Sequence, residues 1–237
     1  MRGTHKNIKN FPKPSLAKSL EAFISAVTFP CLMAKAALNN SQLKSITVPH
    51  MGCPTHDAEI LKFLYQFVDQ YKNLNNGYSS AAVIFEKPLT LTETLFEQLM
   101  WERLQALSNL DALQYSYDKR VSADPVNGNF SFSIKEEAFY IIGMHPASSR
   151  MARRFYFPVL IFNPHAQFES LRVNQKYEKV KQVIRKRDVA LSGSVNPMLS
   201  DFGQAPEALQ YSGKQHDQQW KCPLHSKHQT NDNHSTS

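Results

Sequence analysis

The stretch HPASSRMARRFYFPVLIFNPHAQFE, His145 to Glu169, decides how this chain is read. Two histidine corners, His145-Pro146 and Pro164-His165, flank an arginine-dense turn and one apolar run, Phe155 to Phe162. A run of that length, bounded by prolines, predicts a buried strand. Ala138 to Met144 (AFYIIGM) is a second apolar run just upstream, so the order strand, turn, strand predicts antiparallel neighbours. Arg150, Arg153 and Arg154 lie in the turn between them. Imidazoles, guanidiniums and an apolar strand in one segment suit a flat, apolar, anionic ligand.

Outward from this stretch, helical spacing appears at Leu16–Val27, where Leu20, Phe23, Ile24 and Val27 share a face. A short helix is expected over Cys31–Leu38 and a short strand over Lys44–Val48. Thr55 is placed to cap an amphipathic helix over Asp57–Tyr71, because a hydroxyl can accept from first-turn amides. Ser80–Phe85 (SAAVIF) reads as a buried strand and Thr92–Leu107 as a long helix. Residues 118–129 carry Asp124-Pro125 and Asn127-Gly128 turn signals. Phe130–Ile134 alternates like a half-buried strand, and a basic helix is expected over Tyr177–Ala190. Helices and neighbouring strands without regular βα alternation predict an α+β fold in a single domain, with a mainly antiparallel sheet packed by helices.

The domain is expected to span residues 16–224, between a polar arm at 1–15 and a polar tail at 225–237. That tail has no apolar residue after Leu224 and is expected to be disordered. The chain has 237 residues, enough to bury a sizeable core. Cys31, Cys53 and Cys222 are odd in number and widely spaced, which argues against a disulfide framework. No apolar run reaches the ~18 residues of a membrane span, and no export signal is visible; a soluble cytoplasmic protein is expected. The net charge of +7 favours anionic small molecules, since no nucleic-acid-binding module accompanies it. Dinucleotide, P-loop, HExxH and CxxC fingerprints are absent from the sequence.

Haem fits the ligand described by these residues: it needs an axial ligand, apolar walls and partners for two carboxylates. His145 and His165 are both held in proline-fixed corners, so either imidazole is a candidate ligand. Cys31 is the rival, because a thiolate is the usual device for haem oxygenation and a helix start lowers a thiol pKa. Arg150, Arg153 and Arg154, with Ser149, are candidates for the carboxylates. Glu169 is the first choice as partner for a cationic substrate nitrogen, with Asp201 and Glu207 as alternatives. Gln167, Asn163 and Asn196 can fix polar groups, and Tyr211 can supply a proton. Each of these side chains also has an ordinary role in a turn, a core or a surface.

Seven segments resemble one known family: FPC at Phe29–Cys31, GMHPASSRMARRF at Gly143–Phe155, FNPHAQFE at Phe162–Glu169, IRKRD at Ile184–Asp188, GSVNPMLSDFG at Gly193–Gly203, EALQYSG at Glu207–Gly213 and WKCP at Trp220–Pro223. Together they resemble the YqcI/YcgG family, and within it the branch of haem-dependent N-hydroxylases to which the pre-guanitoxin enzyme belongs. The resemblance covers about Leu20 to Leu224. It implies haem b, dioxygen, an external electron donor, and N-hydroxylation of a guanidino or amino nitrogen on a small amino-acid-like substrate. It favours His145 as axial ligand and His165, Glu169 and Tyr211 as catalytic groups. It implies neither a nucleic-acid nor a membrane partner. The other function class open to the same residues is a haem or small-molecule binding protein, a sensor or carrier, without turnover.

Overall fold

Six consecutive residues, Ser80 to Phe85, are buried in the strand Ser80–Lys87 (β2), so β2 must be covered on both faces. The computed structural model, which describes residues 15–74, 77–196, 198, 203–217 and 219–228, places β2 inside a five-stranded sheet. Leu43–His50 (β1) lies parallel to β2 on one side. Val159–Pro164 (β5) lies antiparallel on the other, followed by Glu137–Met144 (β4) and Phe132–Ile134 (β3). The sheet order is β1-β2-β5-β4-β3. The one parallel pair needs a crossover, and Asp57–Lys72 (α3) supplies it. The remaining pairs are antiparallel, so the chain is α+β with one mostly antiparallel sheet.

Strand alternation divides the core in two. Ala81, Val83 and Phe85 face a large cluster with α3 and Glu93–Asp111 (α4), which includes Leu64, Phe96, Leu104, Phe139 and Phe162. Ala82 and Ile84 face a smaller cluster with Leu16–Ser25 (α1), which includes Leu20, Ile24, Met144, Phe155 and Val159. Leu32–Asn39 (α2) lies on this second side through Ala34 and Leu38. Ala166–Val173 (α5), Tyr177–Ser192 (α6) and Ala208–Tyr211 (α7) complete the molecule. Capping follows side-chain chemistry: Ser15 Oγ accepts from Lys18 N, Thr92 Oγ1 from Leu95 N, and Cys31 Sγ from Ala34 N.

The structure revises several of the expectations above. The strand expected at Phe155–Phe162 runs instead from Val159 to Pro164. Pro158 has no N–H to give the ladder, and Phe155 packs in the smaller core ahead of it. Thr55 does not cap α3; it lies in a 3-10 turn, Pro54–His56, with Oγ1 3.2 Å from Cys53 Sγ. The long helix continues to Asp111, four residues beyond the expected end. Residues 225–228, placed by composition in the tail, are docked on α4. His225 and Gln105 exchange two hydrogen bonds of 2.7 and 2.8 Å, and His228 Nε2 lies 3.0 Å from Asp111 Oδ2 with both side chains fully buried. The arm at 1–14 and the tail at 229–237 lie outside the described residues. Among the described residues, no helix is long and apolar enough to cross a membrane.

Candidate functional site

Antiparallel pairing of β4 with β5 sends the two histidine corners to opposite ends of the strand pair. Met144 pairs with Val159 and Phe139 with Pro164, and His165 N donates to Ala138 O. His145 and His165 are therefore seven strand positions apart, roughly 20 Å at the usual rise per residue. No single ligand is flanked by both corners.

His145 is closed inside the fold. It is 1% exposed, its N–H donates to Arg153 O at 3.0 Å, and its ring stacks on Phe96 at 4.2 Å between centroids. Gly143 allows that approach, since a Cβ there would meet Phe96 Cε1 at 2.6 Å. Nδ1 of His145 has no hydrogen-bond partner, and burial pushes its pKa down to about 4. A neutral imidazole stacked on Phe96, and not among the residues that line the cavity at the other corner, packs as a core residue, so the structure does not support His145 as the axial ligand.

The other corner opens on a cavity of about 240 Å³. Tyr140 and Ile142 of β4 and Asn163 and His165 at the end of β5 form one wall. Cys31 and Met33 bring the start of α2 to it; Phe168, Leu171 and Arg172 come from α5. Tyr177, Val180, Lys181, Ile184 and Arg185 come from α6, and Glu207 and Gln210 from the C-terminal segment. The lining is mostly apolar with cations on the helical side. His165 is 5% exposed; its Nε2 lies 3.5 Å from Glu207 Oε1 and its Nδ1 4.0 Å from Glu169 Oε1. Glu207 Oε2 in turn lies 3.4 Å from the Tyr211 hydroxyl. Gln210 Oε1 accepts from Tyr140 Oη at 2.7 Å. Cys31 Sγ accepts from Ala34 N at 3.5 Å, and burial raises its pKa more than the nearby amides lower it.

The expected site residues therefore separate. Arg153 lines the cavity, donates to Tyr211 O at 2.9 Å, and burial lowers its pKa below the usual arginine value. Arg150 does not reach the cavity; it pairs with Asp188 and donates to Ser194 O at 2.7 Å. Arg154 Nε donates to Ser148 O at 2.8 Å, and Ser149 gives both N–H and Oγ–H to Glu93 Oε1 at 2.8 Å. These three groups are engaged in holding the turn. Glu169 is half-exposed and paired with Arg172. Tyr211 is fully buried: its hydroxyl accepts from Phe132 N at 3.1 Å and lies 3.3 Å from Phe139 O. Burial, then the charge of Glu207, raises its pKa well above the ordinary tyrosine value, and its side chain does not line the cavity.

Gln167 accepts from Ser79 N at 3.0 Å, and Asn163 Oδ1 accepts from Ser80 Oγ at 2.7 Å. Asn196 caps its own loop by accepting from Met198 N. Asp201 lies outside the described residues. Most of the cavity wall was not anticipated as such, including Tyr140 and Ile142 of β4, Arg172 of α5, Gln210, and the whole contribution of α6. For α6 the signal was the stripe Tyr177, Val180, Lys181, Ile184 at helical spacing in an otherwise basic helix.

Among the described residues, no group of three or more His, Cys, Asp or Glu side chains is arranged to hold a metal ion. A porphyrin brings four nitrogens of its own and asks one axial donor of the protein, so the donor set tests differently. Cys31 or His165 can serve as that donor, with Met33, Ile142, Val180 and Ile184 as apolar wall and Arg153, Arg172 and Arg185 as cations. The chemistry of the lining thus fits haem. The volume falls below the roughly 300–1,000 Å³ of ordinary small-molecule sites, so a ring of that size requires α6 to move outward.

No curated protein and no solved structure matches the chain. A family model does match, over residues 20–225, which takes in the sheet, both cores and every residue of the cavity. The chain belongs to the YqcI/YcgG family.

Proposed function

We propose that the protein is a haem-dependent monooxygenase that hydroxylates a guanidino or amino nitrogen of a small amino-acid-like substrate. The observation that carries this reading is a cysteine capping a helix and facing an apolar, cation-lined cavity that also holds a buried histidine–carboxylate pair. Cys31 is the axial donor in this reading. Its sulfur already accepts from the start of α2, and helix N-termini favour the thiolate. Cys31 would keep its thiolate beside a cationic iron, whose charge would offset the effect of burial. His165 is the weaker donor in this reading, since its Nε2 lies 3.5 Å from the Glu207 carboxylate, which would compete for it.

Bound haem supplies dioxygen activation, which a thiolate ligand favours by donating electron density toward O–O cleavage. Arg172 and Arg185, which line the helical wall, would hold its carboxylates. His165 holds a proton at Nε2 for the reaction and exchanges it with Glu207, and Tyr140 with Gln210 orients the substrate's polar end. Apolar α6 residues exclude water. The electrons come from an external donor.

Hemin titration of the full chain tests the cofactor. A Soret shift at about one haem per chain is expected, with a ferrous–CO band at the thiolate position that is lost in Cys31→Ser. His165→Ala and Glu207→Gln should keep that band and lose product formation with a reductant and a guanidino amino acid. No Soret shift, or a spectrum abolished by His145→Ala and untouched by Cys31→Ser, overturns the assignment. The small volume favours one rival, a protein that binds an anionic small molecule without turnover. Saturable binding of such a molecule to colourless protein, without product, selects it.

A further inference from the structure

Helix α6 is attached differently from the rest of the molecule. None of its 16 residues is buried, although its stripe Tyr177, Val180 and Ile184 faces the cavity. An open surface groove of about 220 Å³ runs beside its other half, between Arg187, Ala190, Leu191 and the exposed α1–α2 bend at Val27 and Thr28. A helix with no buried residue, set between a cavity and an open groove, has few apolar contacts to lose on moving, which is the mark of a low-stability element. Left-handed residues bracket it: Gln175 at φ 56° before, and Gly193 at φ 78° after, where a side chain would meet nothing within 4 Å.

One polar junction ties its C-terminal half to the body. Arg150, in the turn before β5, pairs with Asp188 of α6 and donates to Ser194 Oγ at 3.2 Å and Ser194 O at 2.7 Å. Ser192 Oγ completes it by donating to Asp188 Oδ1 at 3.2 Å. The arginine and aspartate side chains are only 11% and 16% exposed, so salt screens the pair weakly. The junction gathers three separate sequence motifs, those holding Arg150, Asp188 and Ser194, at a point that does not line the cavity.

We propose that α6 is a hinged lid over the His165–Cys31 cavity and that Arg150, positioned by Ser194 and paired with Asp188, is its latch. Opening pivots on Gln175 and Gly193, exposes the cavity, and leaves the sheet and both cores as they are. This takes from the functional reading only that the cavity is used, not what fills it.

The native thiols test the lid without any ligand. Cys31 lies under α6, Cys222 packs against the large core on the other face, and Cys53 lies beside the turn before α3, each partly exposed. The full chain is alkylated with N-ethylmaleimide and each cysteine is followed by peptide mass spectrometry. In Arg150→Gln and in Asp188→Asn the Cys31 rate should rise by about tenfold or more, the usual weight of a lost charge-assisted hydrogen bond. Cys222 and Cys53 should keep their wild-type rates. Ser194→Ala, which removes one contact, should give a rise of about two- to fivefold and serves if the other variants fold poorly. Hydrogen exchange should quicken in α6 and stay unchanged in β4 and β5. An unchanged Cys31 rate in these variants overturns the lid, and so does an equal rise at Cys222, which would mean general loosening. The labelling is done on haem-free protein, verified by the absence of a Soret band, so failure of the cofactor assignment leaves this result intact.

Discussion

His145 is neutral near pH 7 because it is buried beside Phe96 and short of a hydrogen bond. Its folded pKa of about 4 lies below the 6.5 of an unfolded histidine, so in that interval the unfolded chain binds more protons. Its contribution is complete above about pH 6.5 and is lost as the pH falls toward 4, amounting to about 3 kcal/mol at the acid end. The urea midpoint should therefore fall over that range. His145→Gln should flatten this part of the profile, and an unaltered slope would show that other groups set it. At the same scale, His165 has a different future: its imidazole touches the cavity and Glu207, so His165→Ala should change function more than stability. Two histidines in nearly identical corners thus part company. The local sequence, His beside Pro after or before an apolar run, describes both equally well. What distinguishes them is which face each strand end presents.

At the scale of elements, α4 collects the longest-range contacts. Its Glu97 is held below the usual carboxylate range: burial pushes it up, but His216 and Lys214 outweigh that. Its C-terminal Asp111 receives His228 and the Lys135 amide. Removing His228 leaves a buried carboxylate short of a partner, a change that costs about 1–3 kcal/mol. His228→Ala should lower the urea midpoint accordingly, while His225→Ala, whose contact to Gln105 is made by backbone, should not. The packing of α4 on β4 sets a second test. Gly143→Ala puts a methyl against Phe96 and 3.0 Å from Tyr211 O, so overpacking of about 1–3 kcal/mol is expected in thermal or urea unfolding. Most elements were legible because their hydrophobic periods are strong, as in α3 and β2. The docked segment at 225–228 was not: its polar residues are held by hydrogen bonds to α4, and composition alone cannot reveal a partner 117 residues away.

For the whole molecule, β2 is the shared wall of two cores. Losing a side chain on either face should therefore weaken one cooperative unit. Ile84→Ala, on the smaller core, and Val83→Ala, on the larger, should each shift a single unfolding transition, by about 2–5 kcal/mol for the isoleucine. Both tryptophans, Trp101 and Trp220, report on the larger core. Fluorescence and far-ultraviolet circular dichroism should still give coincident midpoints for Ile84→Ala. Midpoints that separate would mean that the α1–α2 side unfolds on its own.

The class of fold, the placing of most helices and strands, the antiparallel β4–β5 pair and the family were legible in the residues alone. Those properties depend on periodicity, turn chemistry and long motifs, all of which are local. The sequence also held both histidine corners, Cys31, the arginine cluster and Glu207, but as an unsorted set. Only the tertiary structure sorted them. Strand β5 has a fixed rise per residue, so its two ends cannot serve one ligand, and the site had to be assembled from β4, β5, α2, α5, α6 and α7. The same reason moved Arg150 from cofactor anchor to latch: its partner, Asp188, is 38 residues away in sequence and adjacent only after α6 folds back across the sheet.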